Sequence, residues 1–352
     1  MIKDLALTTG RSIEKQTQVT QLGTARSIKI IDGSTLSMPD TKENQAQWPQ
    51  HGQQDEGAGF PIMRIVAIFS LATAAVIDFA HAPFQGKGSG ELSLARQLLG
   101  ALDDGNILLA DRYYCSYFFI CMLMEKNVDI VTRQHGARNS DFRRGQRLAK
   151  GDHIVELIKP PKPQWMDQDT YNKMPTSLKL REIKTGCNDS EGEEIVVVTT
   201  LIAPEKYSRT EIAALSKSRW NVELDLRSMK SVMGMDILSC KTPCMIEKEI
   251  WTYILVYNLV RQLIARAGAA HNIEPRHISF TGSLGAFLVF CPIFDAERSP
   301  EMRRKYYEAL LSMIASYRIG NRPGRREPKV VKRRPKAYPY LKTTRVEARE
   351  KS

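Results

Sequence analysis

The spacing of hydrophobic positions changes several times along this chain, and each change marks an element. Residues up to about Gly23 are polar and without pattern, as in a short arm or a partial helix. Ser27 to Asp32, SIKIID, alternates apolar and polar positions as a half-buried strand does, and Gly33 and Ser34 end it. After a polar loop reaching about Gly59, the apolar segments Ile62 to Ser70 and Ala74 to Phe79 read as paired strands. Glu91 to Leu102 sets Leu92, Ala95, Leu98, Leu99 and Leu102 on one helical face, and Asn106 to Asp111, NILLAD, reads as a buried strand closing on a carboxylate. Tyr117 to Lys126 predicts a helix and Val128 to Thr132 a further strand. The alternation is that of an α/β layer around one sheet.

Between Asp141 and Ala203 the helical period disappears. Short β-type runs at His153 to Ile158, Leu180 to Lys184 and Ile195 to Leu201 are separated by Pro-rich and Gly/Asp/Ser-rich turns, as in an inserted β module. Helical spacing then returns over Thr210 to Met233, Ile246 to Ala267 and Ser299 to Tyr317, with Pro300 in the first turn of the last. The expected division is a short arm over 1–26, the first part of the α/β domain over 27–140 and a β-rich insertion over 141–203. A helical second part follows over 204–317, then a basic extended tail over 318–352.

At 352 residues the chain has room for two domains or one large elaborated one. With 42% hydrophobic and 26% charged residues it is ordinary for a folded protein, which excludes disordered, collagen-like and coiled-coil classes. Six scattered cysteines give neither a disulfide framework nor a paired zinc site. The longest apolar run, Ile65 to Ile77, is interrupted by Ser70 and Thr73 and falls short of a membrane span. The first residues contain no apolar block of the secretory kind, so a soluble intracellular protein without a membrane partner is expected.

The net charge of +12 has an address: from Arg318 onward there are 13 basic residues against three acidic ones, leaving the rest nearly neutral. A segment such as RPGRREPKVVKRRPK cannot build its own core and should lie extended along something negative. A nucleic-acid backbone fits, because each neutralised phosphate releases counterions. The prolines and tyrosines interrupt any amphipathic period, which counts against a membrane-surface helix.

Two carboxylates, Asp32 and Asp111, sit at the ends of predicted strands, where side chains project from rigid supports. A third, Glu223, lies in the helical segment SRWNVELDLRSMK. At about 100° per residue, Arg219, Glu223, Arg227 and Lys230 share one face within roughly 80°, beside an apolar stripe of Leu215, Val222, Leu226, Met229 and Met233. Three gathered carboxylates repel one another unless a cation lies between them, and hard oxygen ligands favour magnesium or manganese. The neighbouring guanidinium and ammonium groups are suited to phosphates. Taken singly, each aspartate is more often a turn residue or helix cap than a ligand, and Glu223 with Arg219 or Arg227 reads equally well as a surface ion-pair ladder.

Four segments, IIDGSTLSMPDTKEN, LLADRYYCSYFF, VVVTTLIAPEKYS and SRWNVELDLRSMKSVMG, resemble the DDE transposases of bacterial insertion sequences, in the branch named after insertion sequence four. That branch is marked by Tyr-x2-Arg-x3-Glu-x6-Lys. Arg219, Glu223 and Lys230 keep three of the four positions, and Ser216 stands in place of the tyrosine. The resemblance implies a ribonuclease H-like mixed sheet flanked by helices, with a β-rich insertion before the last catalytic helix. It implies that Asp32, Asp111 and Glu223 are catalytic and hold two magnesium ions, for which manganese can substitute. Arg219 and Lys230, with Arg227 and Arg112, are then expected on DNA phosphates, and Trp165 is a candidate wedge for a flipped base.

The implied partners are element ends and target DNA, in a homo-oligomeric synaptic complex at the nucleoid of a bacterial cytoplasm. Relatives carry a helical end-recognition domain before the first aspartate, whereas 31 residues precede Asp32, so an N-terminally short copy is expected. Two other readings stay open. One is a catalytically inactive truncated transposase acting only as a DNA-binding or inhibitory protein, and the other is a simple metal-dependent nuclease.

Overall fold

Alternation along β1 (Ile28–Ser37) turns Ile28, Ile30 and Leu36 to one buried cluster and Ile31 to another, so the strand is covered on both faces. The computed structural model that shows this describes residues 1–17, 26–185 and 195–320, with Glu347 and Glu350. The basic tail beyond 320 therefore lies outside the described residues, those two glutamates apart.

On one side of β1 lies β2 (Ile62–Ser70) and beyond it β3 (Val76–Pro83), each antiparallel to the strand before it. On its other side lie β4 (Ile107–Ala110) and β5 (Asp129–Arg133), both parallel to it. The sheet continues through β6 (Gln146–Ala149), β7 (Asp152–Ile158), β8 (Ser177–Thr185) and β9 (Ile195–Thr199), all antiparallel, in the order β3-β2-β1-β4-β5-β9-β8-β7-β6. The half running from β3 to β5 is a ribonuclease H-like mixed sheet. The strands between residues 141 and 203 extend that same sheet rather than forming a separate layer.

One face is covered by α1 (Ile2–Gln16), α6 (Arg209–Ser218), α7 (Asn221–Arg227), α8 (Pro243–His271), α9 (Phe280–Ala296) and α10 (Pro300–Ser316). The other carries α3 (Glu91–Gln97), α4 (Tyr117–Glu125) and α5 (Gln168–Lys173). The short α2 (Lys42–Gln47) is capped by Thr41 and packs beside α8. Among the described residues no helix is long and apolar enough to cross a membrane.

Three of the departures from the sequence pattern lie in the helical layer around α8. The opening residues, read as an arm or partial helix, form α1, which packs along α8 through Ala6, Gly10 and Ile13. Gly10 comes so close to the Val76 carbonyl and the Asn258 amide that a methyl group could not be fitted. The expected single helix from Thr210 to Met233 is broken: α6 ends at Ser218, α7 restarts at Asn221, and a wider π-helical turn runs over Ser228–Val232. Finally, α9 falls between predicted helices, in a stretch too uniformly apolar to show a period and containing Pro292.

Candidate active site

β1 does not end at Gly33; it stays paired with β2 as far as Ser37↔Ile62. Its pairing with β4 stops earlier, at Ile30↔Leu109, because β4 ends at Ala110. A notch opens beyond that point between one strand that continues and one that stops. Asp32 stands on its near side, and Asp111, the first residue after β4, stands on the other. The Asp111 carbonyl is fixed by the Thr132 hydroxyl at 2.8 Å, so the chain leaves the sheet there in one direction.

The Asp32 side chain is only 20% exposed, and its Oδ1 accepts the Gly33 N–H at 2.8 Å. Burial pushes its carboxyl up to about 6, the charges of Glu91 and Asp111 adding to the effect while the Gly33 N–H and Arg219 oppose it.

Glu223 arrives from the opposite layer. Arg219, the residue that caps α6, donates from Nη2 to Glu223 Oε1 at 3.2 Å and brings Nη1 to 3.8 Å from Asp32 Oδ2. It bridges the first and third carboxylates. Lys230, in the π-helical turn, donates to Ser34 Oγ at 2.8 Å, two residues beyond Asp32, and partial burial lowers its pKa. The break in the helix has not dispersed the three signature residues. Among the described residues, however, no three His, Cys, Asp or Glu side chains are gathered closely enough to hold a metal ion as they stand.

The helix bearing Glu223 is anchored from behind. Asp225, buried on α7, accepts from Arg261 of α8 at 3.2 Å and from Arg276 at 3.1 and 2.9 Å. Arg276 also donates to the carbonyls of Ser70 and Leu71, at the end of β2. The same carboxylate thereby ties the Glu223 helix to the sheet.

The other sequence candidates fall in different places. Arg112 is exposed in the turn directly after Asp111. Arg227 is exposed at the end of α7, and among the described bonds it is tied to neither Asp32 nor Glu223. Ser216 lines a cleft of about 390 Å³ together with Arg133, Lys217, Arg219 and Trp220. Trp165 lies away from that cleft, its ring covered by the Arg96 guanidinium at 3.8 Å and edged by Phe118.

Three residues of this region were not singled out in the sequence. Trp220 is 60% exposed in the cleft, next to Arg219, and its position inside SRWNVELDLRSMK was the available signal. Glu91 opens α3, and Tyr114 closes the turn after Asp111 with its hydroxyl buried and unpartnered. Neither has a sequence signal, since each reaches the site only through the packing of the other sheet face.

The strand order of the β3 to β5 half is that of a ribonuclease H-like scaffold, and the comparisons make the class specific. Residues 23–259 match the family described as transposase DDE domain. The chain belongs to this family of DDE transposases. It is 28% identical over 322 residues to the transposase InsG for insertion sequence element IS4 of Escherichia coli (strain K12), a match covering 89% of this chain and 69% of that one. It can also be laid on a solved piggyBac transposase synaptic complex with hairpin DNA at a TM-score of 0.44 and 11% identity, over 84% of this chain and 58% of that one. The chain thus spans less than two thirds of the length of that solved chain.

Proposed function

We propose that this chain acts on DNA, cutting the ends of an insertion element and joining the freed 3′ ends to a target. The observation that carries the reading is the convergence of Asp32 and Asp111 at one notch in the sheet with Glu223, tied to the same notch by Arg219. Its partners are then the element ends and the target duplex, held by an oligomer of this chain.

The donor set fits a hard divalent cation. Asp32 is a buried carboxyl beside further negative charge, a situation that a magnesium or manganese ion relieves. Asp32 and Asp111, which follow the last β1–β4 pair on their two strands, would be the first ligands, and Glu223 would be the third once Arg219 passed its hydrogen bond to a phosphate. A bound pair of such ions supplies an activated water or 3′-hydroxyl and charge stabilisation at the leaving oxygen.

The chain's own residues do the rest. Arg219 offers a planar fork to a phosphate at the cut, while Lys230, held near Ser34, and Arg112, beside Asp111, add point contacts at its two sides. Trp220, exposed at the edge of the cleft, offers a face on which an unstacked base can rest. Trp165 has its face occupied by Arg96 and serves that purpose less well.

The test uses the full chain with DNA carrying the ends of its element, in magnesium or manganese. Cleavage and 3′-end joining are expected from the wild type and from neither Asp111→Asn nor Glu223→Gln, while all three bind DNA alike. Undiminished cleavage by either variant refutes the assignment. The engagement of Glu223 by Arg219 favours one second reading, a DNA-binding protein without catalysis. It predicts salt-sensitive DNA binding and no cut in either metal.

A further inference from the structure

Past its last pair with β4, at Ile30↔Leu109, β1 runs on with that edge open among the described residues until Ser37. There the Ser37 N–H donates to the Asp236 carbonyl at 3.1 Å and the Leu238 N–H to the Ser37 carbonyl at 2.8 Å. Asp32 and Ser34 both lie in the gap. The ladder to β2 keeps an unbroken register from Lys29 to Ser37, so side chains two residues apart share a face. It is the face on which Ile30 and Leu36 join the cluster made with α6, α7 and α8. The open stretch of β1 thus carries a carboxylate and, about 6.5–7 Å further along, a hydroxyl on the same side.

Lys230 reaches that hydroxyl from the π-helical turn, its Nζ donating to Ser34 Oγ at 2.8 Å. Among the described residues no carboxylate forms an ion pair with Lys230. A serine oxygen fixes the end of a flexible side chain without cancelling its charge. The hydroxyl also keeps its own proton, since among the described bonds Ser34 donates to none. An ammonium and an O–H, both half-buried, are left side by side at the edge of the notch. A phosphodiester, with two anionic oxygens, satisfies both donors.

We propose that Ser34 is a DNA-binding residue which, with Lys230, holds the phosphate next to the one being cut, on the same DNA strand. Spacing decides which phosphate this is. Successive phosphates of one nucleic-acid strand are about as far apart as alternate residues of a β-strand. A DNA backbone laid along the open edge of β1 with one phosphate at Asp32 therefore brings the next to Ser34. Ser34 donates its proton to one oxygen of that phosphate and goes on accepting from Lys230, whose two remaining N–H groups serve the other oxygen. The inference rests on the reading of this chain as a DNA-cutting enzyme.

The test replaces single phosphates with uncharged methylphosphonates in a duplex carrying an element end, one on each side of the position cut by the full wild-type chain. Affinities are measured with the full chain carrying Asp111→Asn, so that the DNA stays intact. One of the two replacements should weaken binding about tenfold, the scale of a hydrogen bond to a charged group. Most of that penalty should vanish when Ser34→Ala or Lys230→Met is added, and Ser34→Thr, which keeps the hydroxyl, should retain it. A variant that is merely less well folded binds every duplex more weakly and leaves the penalty in place. If both replacements cost Ser34→Ala as much as they cost the chain with Ser34, this inference fails and the cutting reading stands. If the wild type makes no cut in magnesium or manganese, both fail.

Discussion

Arg219 and Asp32 stand 3.8 Å apart, one capping α6 and the other inside β1, so a single guanidinium joins the signature segment to the first strand. The same guanidinium bonds Glu223 at 3.2 Å, so it holds the place of a positive charge between two acids. Arg219→Ala is expected to lower DNA cleavage about 100-fold, the usual loss when one donor aimed at developing charge is removed. Folding stability should change by less than about 1 kcal/mol, because the Glu223 side chain is 40% exposed and such pairs contribute little. Arg219→Lys keeps the charge without the fork and should recover only part of the rate. Cleavage kinetics beside urea unfolding separate the two effects, and a loss of stability with normal cleavage would contradict this role.

The Asp32 carboxyl gives the metal-free protein a distinctive pH dependence. Its folded value of about 6 lies above the ordinary 3.8 of the unfolded chain. The folded state therefore holds the proton more tightly, and the stabilisation this brings is complete below the unfolded value and lost as pH rises through about 6. The loss is about 1–3 kcal/mol at pH 7. In chelator, Asp32→Asn should be more stable than the wild type at pH 7, with the advantage shrinking toward pH 4. Equal stability at both pH values in urea melts would show that burial is not what shifts this group.

The strands that carry the two aspartates were legible in the sequence because strand patterns are local: SIKIID alternates and NILLAD is a short apolar run, each within six residues. The length of β1 was not, since Gly33 and Ser34 resemble a turn and only the ladder to β2 carries the strand on to Ser37. In α1 the buried face is made by Ala6, Gly10 and Ile13, residues mostly too small to register as a hydrophobic stripe. The break between α6 and α7 left no mark in composition, because Ser218, Arg219 and Trp220 are all compatible with a helix interior. Glu91 lies against β1 only where Gly33 leaves room, a relationship between two separate segments that no spacing rule can express.

Asp225 should be more important to the fold than the residue two positions before it. It is buried between Arg261 and Arg276, and truncating it leaves two guanidiniums without their acid. Asp225→Ala is expected to cost about 3–5 kcal/mol, the range for breaking a buried ion pair by removing one partner. Cleavage should also fall, since α7 is then no longer tied through Arg276 to the end of β2. Urea unfolding measures the first effect. A loss under about 1 kcal/mol would mean that the network is as weak as an exposed one.

The two exposed tryptophans should behave oppositely toward DNA. Trp220 is 60% exposed beside Arg219, whereas the Trp165 ring is stacked by Arg96 at 3.8 Å. A free aromatic face next to a cationic cleft can receive an unpaired base, and each such stack contributes about 1–3 kcal/mol. Trp220→Ala should therefore weaken binding to DNA with a single-stranded gap by that amount while leaving intact duplex binding nearly unchanged. Trp165→Ala should leave both affinities alone and lower stability by about 0.5–1 kcal/mol through loss of the cation–π contact. Fluorescence anisotropy with gapped and intact duplexes distinguishes them. Weakened gap binding by the Trp165 variant alone would transfer the base-stacking role to the tryptophan first suggested by the sequence.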